Sequence, residues 1–179
     1  MTFARFARAP LVVALTMTAL ALSPAGARAQ GSERAARADS LVAKARAIDL
    51  GGDVPQRLLE AGRLYRSAAA LRGDDAGAVS DWRMAAWAYS AARDNRSAYW
   101  MMKRSAEISS RSGDVERAID AYLDAALLAV SIGRRNQAAQ LVAQAEELLA
   151  SPSLAPERRL AVGQRVAADP VASALRPRS

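Results

Sequence analysis

Turn signals recur along this chain every twenty residues. Gly51-Gly52-Asp53, Gly73-Asp74-Asp75, Asp94-Asn95, Gly113-Asp114 and Gly133-Arg134 punctuate it. With Asp53, Asp74, Asp94, Asp114 and Arg134 as markers, the steps are 21, 20, 20 and 20. Glycine takes the left-handed conformation that ends one helix, and a neighbouring Asp or Asn caps the next with its side-chain oxygen. Asp53-Val54-Pro55-Gln56 reads as such a cap, with proline in the first turn and glutamine at the reciprocal position. A chain cut at this interval has room for a helix of four to five turns between cuts.

The segments between turns carry a helical apolar period. Residues 114–131 give Ile119, Tyr122, Leu123, Ala126, Leu127 and Val130, opposite a polar face of Glu116, Arg117, Asp120 and Asp124. Residues 134–150 give Ala138, Leu141, Val142, Ala145, Leu148 and Leu149, and residues 76–93 give Val79, Trp82, Ala86 and Tyr89. Steps of three and four put each set on one helix face. Beyond residue 30 no stretch alternates like a strand. Alanine, 44 of the 179 residues, favours helix and lets helices approach closely. The expected fold is all-α: about six helices plus a C-terminal capping helix. Two plans fit, a closed bundle or antiparallel helix hairpins stacked as a short α-solenoid, and the fixed turn spacing favours the solenoid. The hairpins would be 32–49/54–72, 76–93/96–111 and 114–131/134–150. Residues 156–168 would cap the stack, and 169–179, with two prolines, would form a disordered tail.

The first residues read as an address. Arg5 and Arg8 precede an uncharged run, Leu11 to Leu22, then Ser23-Pro24-Ala25-Gly26, which breaks a helix, and Ala27-Arg28-Ala29. A charged start, a short apolar run and a small-x-small site make a secretory signal peptide, cleaved after Ala29. The alternative, a retained anchor, is disfavoured because the run rises only about 18 Å against a hydrocarbon layer of about 30 Å. No cysteine stands at the junction, so the chain is not a bacterial lipoprotein. The expected domains are 1–29 signal, 30–168 helical repeat and 169–179 tail. The expected location is the bacterial periplasm or the exterior, without stable membrane insertion once the signal is removed. Cleavage would leave 22 basic against 18 acidic residues, a net +4 in place of +7. That excess is too small to argue for nucleic acid as a partner.

The chain has neither Cys nor His. Thiolate nucleophiles, His-based proton transfer and Cys/His zinc sites are therefore excluded. Glu146-Glu147 are adjacent on a helix, about 100° apart, and share no catalytic site. Gly51-Gly52 is a turn without the strand or Lys-Ser/Thr of a phosphate loop. The expectation is no catalytic residue, no metal and no cofactor. The basic pairs Arg134-Arg135 and Arg158-Arg159 fall at helix starts, where they oppose the helix dipole and call for a nearby anion.

Ser112-Gly113-Asp114 with Ala118, Tyr122 and Ala125 resembles the turn and second helix of a tetratricopeptide repeat. Trp82, Ala86 and Tyr89 are similar to its first helix, with Ala98 and Met102 following where the second would place them. The likeness spans roughly residues 54–150. Two turn steps make about 40 residues where the family's unit is 34, so the pairing of helices stays open, as do HEAT or Sel1-like repeats. The resemblance implies a tetratricopeptide-like α-solenoid whose concave face binds a protein or peptide partner. It places Trp87, just after the small Ala86, in that groove, with Arg83 and Ser90 one turn to either side. It places Asp120, Leu123 and Leu127 there from the next first helix. Trp82, Tyr89, Met102 and Tyr122 lie on burial stripes and read as core; Trp87 and Trp100 lie off them. The function expected is an envelope scaffold that binds its partner without catalysis. The rivals are a self-associating homodimer module and an accessory to an envelope-polymer enzyme.

Overall fold

The computed structural model describes residues 24–48 and 54–175. Eight helices follow one another: α1 (Pro24–Ala47), α2 (Pro55–Arg72), α3 (Ala76–Ala91), α4 (Asn95–Arg111), α5 (Val115–Ser131), α6 (Arg135–Leu149), α7 (Pro156–Ala168) and α8 (Pro170–Leu175). There is no strand among the described residues. From α1 to α6 each helix packs mainly on the next, and α7 and α8 close the stack against α5 and α6. The architecture is an all-α solenoid of antiparallel hairpins.

The turns explain the twenty-residue step. Described residues with a left-handed backbone are Gly73, Arg93, Gly113 and Gly133, evenly spaced by 20. Three of these turns are built alike. After α3, Arg93 N–H donates to Ser90 O and Asp94 N–H to Tyr89 O, both at 2.9 Å. Gly113 and Asp114 do the same to Ser110 and Ser109, and Gly133 and Arg134 to Val130 and Ala129. These bonds satisfy the carbonyls that a helix end leaves over. Asp75, Asp94 and Asp114 then cap α3, α4 and α5, accepting from Ala78, Ser97 and Arg117 N–H at 2.7, 3.0 and 3.3 Å. The cap of α3 is thus Asp75, one residue past the Asp74 marker. At α6 the cap position holds Arg134, which has no side-chain cap bond.

Three boundaries differ from expectation. The break expected at Ser23–Gly26 falls partly outside the described residues, and Pro24 opens α1 instead of ending a helix. Proline lacks only an N–H that the first turn leaves unpaired anyway. The expected cleavage point after Ala29 therefore lies within α1, on a stretch, Ala27 to Arg37, that is exposed throughout; the first buried residue among those described is Ala38. The rest of the signal reading, residues 1–23, and the Gly51-Gly52-Asp53 turn lie outside the described residues. Val54 holds the cap position of α2, without a side-chain bond. The disordered tail is also corrected: Pro170–Leu175 form α8 with Val171 and Ala172 buried. Asp169 accepts from both their N–H groups at 2.9 Å, so a carboxylate cap and a first-turn proline start this helix together.

The core lies in two clusters. The first, from α1 to α4, is alanine interleaved with Val42, Tyr65 and Tyr89. Gly62 admits the Tyr89 ring, which would stand 3.2 Å from any added Cβ. The second, from α3 to α8, holds Ile119, Leu141, Val142, Val162 and Val166 among its alanines. Burying one such branched side chain contributes about 2 kcal/mol. Met101 and Leu128 touch both clusters and join them. As expected, Tyr89, Met102 and Tyr122 are buried and Trp87 and Trp100 are exposed. Trp82 is half-buried, with its Nε1 enclosed and unpartnered.

Candidate functional site

Helices α3, α5 and α7 are linked along one flank by side chains. Arg83 Nη2 of α3 lies 4.0 Å from Asp124 Oδ2 of α5. Arg158 of α7 grips Glu116 of α5 through two bonds of 2.8 and 2.5 Å, and Arg165 lies 3.4 Å from Asp120. Glu116, Asp120 and Asp124 are spaced by four, so they form one acidic row along α5.

Three recesses share walls along this flank. One of ≈ 390 Å³ is bordered by Ser80, Arg83, Met84 and Trp87 of α3, Met102 of α4, and Arg117 and Asp124 of α5. A second, ≈ 420 Å³, shares Arg83 and Arg117 with it and adds Asp114, Glu116 and Asp120. A third, ≈ 530 Å³, runs between Glu116 and Arg158, Val162 and Arg165 of α7. The first is the more adhesive: Trp87, 52% exposed, lines it together with two methionines, two guanidinium groups (Arg83 and Arg117) and the Asp124 carboxylate. An exposed indole beside Met and Arg can hold an apolar or cationic side chain while the polar rim orients a main chain.

The charges of the row differ in state. Hydrogen bonding from Arg158 holds the Glu116 carboxyl below the ordinary range. Burial pushes the Asp124 carboxyl up; Asp120 and Asp169 add to this and Arg83 only offsets it. Asp124 also has the longest ion pair of the row, 4.0 Å against 3.4 Å at Asp120 and 2.5 Å at Glu116.

Of the residues expected here, Arg83 and Trp87 come together in the first recess, and Asp120 lines the second. Ser90 is half-buried and borders none of the three. Leu123 is corrected: it is 9% exposed and belongs to the second core cluster, because it sits four residues after Ile119 on the inward stripe of α5. Leu127 is 55% exposed but lines none of these recesses. Ser80, Met84, Arg117 and Asp124 were not expected. The signal available for Asp124 was the four-residue acidic spacing on α5. Met102, expected as core, is both buried and part of the recess wall.

The basic pairs find different partners. Arg158 takes Glu116, and Arg159 donates to Ser151 O and Leu154 O. Arg134 lies 5.7 Å over the rings of both Tyr99 and Trp100. Comparison with known protein families, with curated proteins and with solved structures finds no match to this chain.

Proposed function

We propose that the chain is a divergent tetratricopeptide-like repeat protein that binds an extended peptide or protein segment in the trough between α3 and α5, as a non-catalytic scaffold of a bacterial envelope. The observation that carries this reading is Trp87, half-exposed in a recess that it lines together with Met84, Met102, Arg83, Arg117 and Asp124. Large side chains in an alanine-rich protein are needed for the core, so one left outside in a walled recess is the natural anchor for a partner. Arg83 orients that partner by hydrogen bonding to a carbonyl or carboxylate. The charged start, apolar run and Ala-x-Ala site at residues 1–29 support export. The deciding experiment is crosslinking in the native envelope from a photo-reactive residue at position 87, with exposed Gln140 of α6 as control. A partner captured at 87 and not at 140 is expected; capture at 140 alone overturns the assignment.

One observation favours self-association as the second reading. Leu160 of α7 is 66% exposed beside Gly163 and Ala167 in an apolar recess of ≈ 480 Å³. Light scattering that gives a monomer at high concentration removes that alternative.

A further inference from the structure

Because the hairpins are antiparallel, all odd-to-even turns fall at one end of the stack. That end gathers two features, although one of its arginines, Arg134, also donates to Gln137 Oε1 at 3.1 Å and lies over the Tyr99 and Trp100 rings. The first is unpaired positive charge. Arg57, Arg93, Arg96, Arg134 and Arg135 all lie there, and none makes an ion pair among the described residues. Among the described residues the acids there are Asp94 and Asp169, both engaged as helix caps, and Glu60; Asp49 and Asp53, between α1 and α2, lie outside the described residues. Arg96 and Arg135 stand in the first turns of α4 and α6, and Arg134 at the cap of α6, where the positive helix end disfavours a cation unless an anion is near.

The second feature is apolar. Of the five large hydrophobic side chains exposed among the described residues, Val54, Trp87, Trp100 and Leu127 are at this same end; only Leu160 is elsewhere. Trp87 and Leu127 precede the ends of α3 and α5 by four residues, and Trp100 follows the start of α4 by five. At 1.5 Å per residue they sit about 6–8 Å behind the helix ends, in the one or two turns next to the arginine-bearing connections. Trp100 is flanked by Lys103 at 5.5 Å and Arg134 at 5.7 Å, an indole ringed by cations.

We propose that this end of the stack docks peripherally on an anionic phospholipid surface, its arginines meeting phosphates and its indoles entering the headgroup layer. A soluble polyanion would satisfy the arginines but leave four apolar side chains in water. A membrane interface takes both. Trp87 also borders the trough, so the inference is carried by the arginines with Val54, Trp100 and Leu127, which line none of the recesses between α3, α5 and α7.

The test is co-sedimentation of the full chain with vesicles of phosphatidylcholine alone or mixed with phosphatidylglycerol. The double variant Arg96→Gln/Arg135→Gln is compared with Arg63→Gln/Arg66→Gln, which removes the same charge from exposed sites on the body of α2. Residues 1–23 are common to all, so their contribution cancels. The expected result is a preference for anionic vesicles that the first double variant weakens roughly ten- to thirty-fold, that Trp100→Ala weakens with the helical dichroism unchanged, and that the second double variant leaves largely intact. Equal losses in both double variants, or no anionic preference, overturn the proposal. So does binding indifferent to Trp100→Ala, because a purely electrostatic contact has no need of the indole.

Discussion

The two ends of the hairpin stack are made from related backbone turns and opposite electrostatics. At the end carrying the Gly73 and Gly113 turns, Asp74 takes Arg104 and Arg111 at 2.9 and 2.7 Å. There Arg72 bridges Asp39 and Asp81 at 2.6 and 2.8 Å, and Arg158 holds Glu116. At the end carrying the Arg93 and Gly133 turns, the arginines at positions 93, 96, 134 and 135 make no ion pair among the described residues, and Arg134 instead donates to Gln137 and lies over the Tyr99 and Trp100 rings. The Arg93, Gly113 and Gly133 turns have the same hydrogen bonds in either setting. Ion pairs are therefore not what makes these turns, and the arginine charge at this end is not consumed in holding them.

Substitutions at the two ends should separate accordingly. The largest effect is expected from Arg72→Ala, which strips the buried Asp81 of its guanidinium and should cost about 3 kcal/mol in denaturant unfolding. Burial already pushes the Asp81 carboxyl above its ordinary value of 3.8, with Arg72 pulling it back only in part. The folded state thus keeps this proton where the unfolded chain has lost it. Asp81 supports folding below that window, and the support is lost as pH rises through the folded value. The Arg72→Ala penalty should accordingly shrink as pH falls toward 3.8, where a neutral Asp81 no longer needs its partner. A penalty independent of pH would mean the guanidinium serves packing rather than charge.

Next in size are the left-handed turn positions, which should give opposite signs at the two ends. Gly113→Ala forces a side chain onto φ 80 and should destabilise by about 1–2 kcal/mol. Arg93→Gly relieves φ 62 and should stabilise by about 1 kcal/mol, read as a rise in melting temperature. Loss of stability in Arg93→Gly would show that the arginine has a structural partner after all. The smallest effect is expected from Arg96→Gln/Arg135→Gln, within about 0.5 kcal/mol of the parent. A loss comparable to that of Arg72→Ala would erase the distinction between the ends.

Much of this arrangement is legible in the sequence. The limits of α7, Pro156 and Ala168, follow from a proline at one end and the loss of period at the other, and the buried faces of α5 and α6 from steps of three and four. What escaped depends on partners remote in sequence. Arg93 looks like any surface arginine; only the interval from Gly73 to Gly113 marks it as the missing glycine. Asp124 and Arg117 read as a solvated face because nothing local says that α3 and α7 stand on either side of α5. Leu123 was placed in the groove by its position in a repeat, while its place on the inward stripe with Ile119 put it in the core. α8 was overlooked because two prolines within eight residues look like a break, whereas Asp169 and Pro170 together make a start.

Hydrogen exchange of the full chain with and without phosphatidylglycerol-containing vesicles tests the division between the ends most directly. Slowing confined to residues 92–100 and 132–137, with 73–76 and 111–117 unchanged, is the result expected if one end holds the stack together and the other meets the surface. Slowing at 73–76 and 111–117, or none at either end, would contradict it.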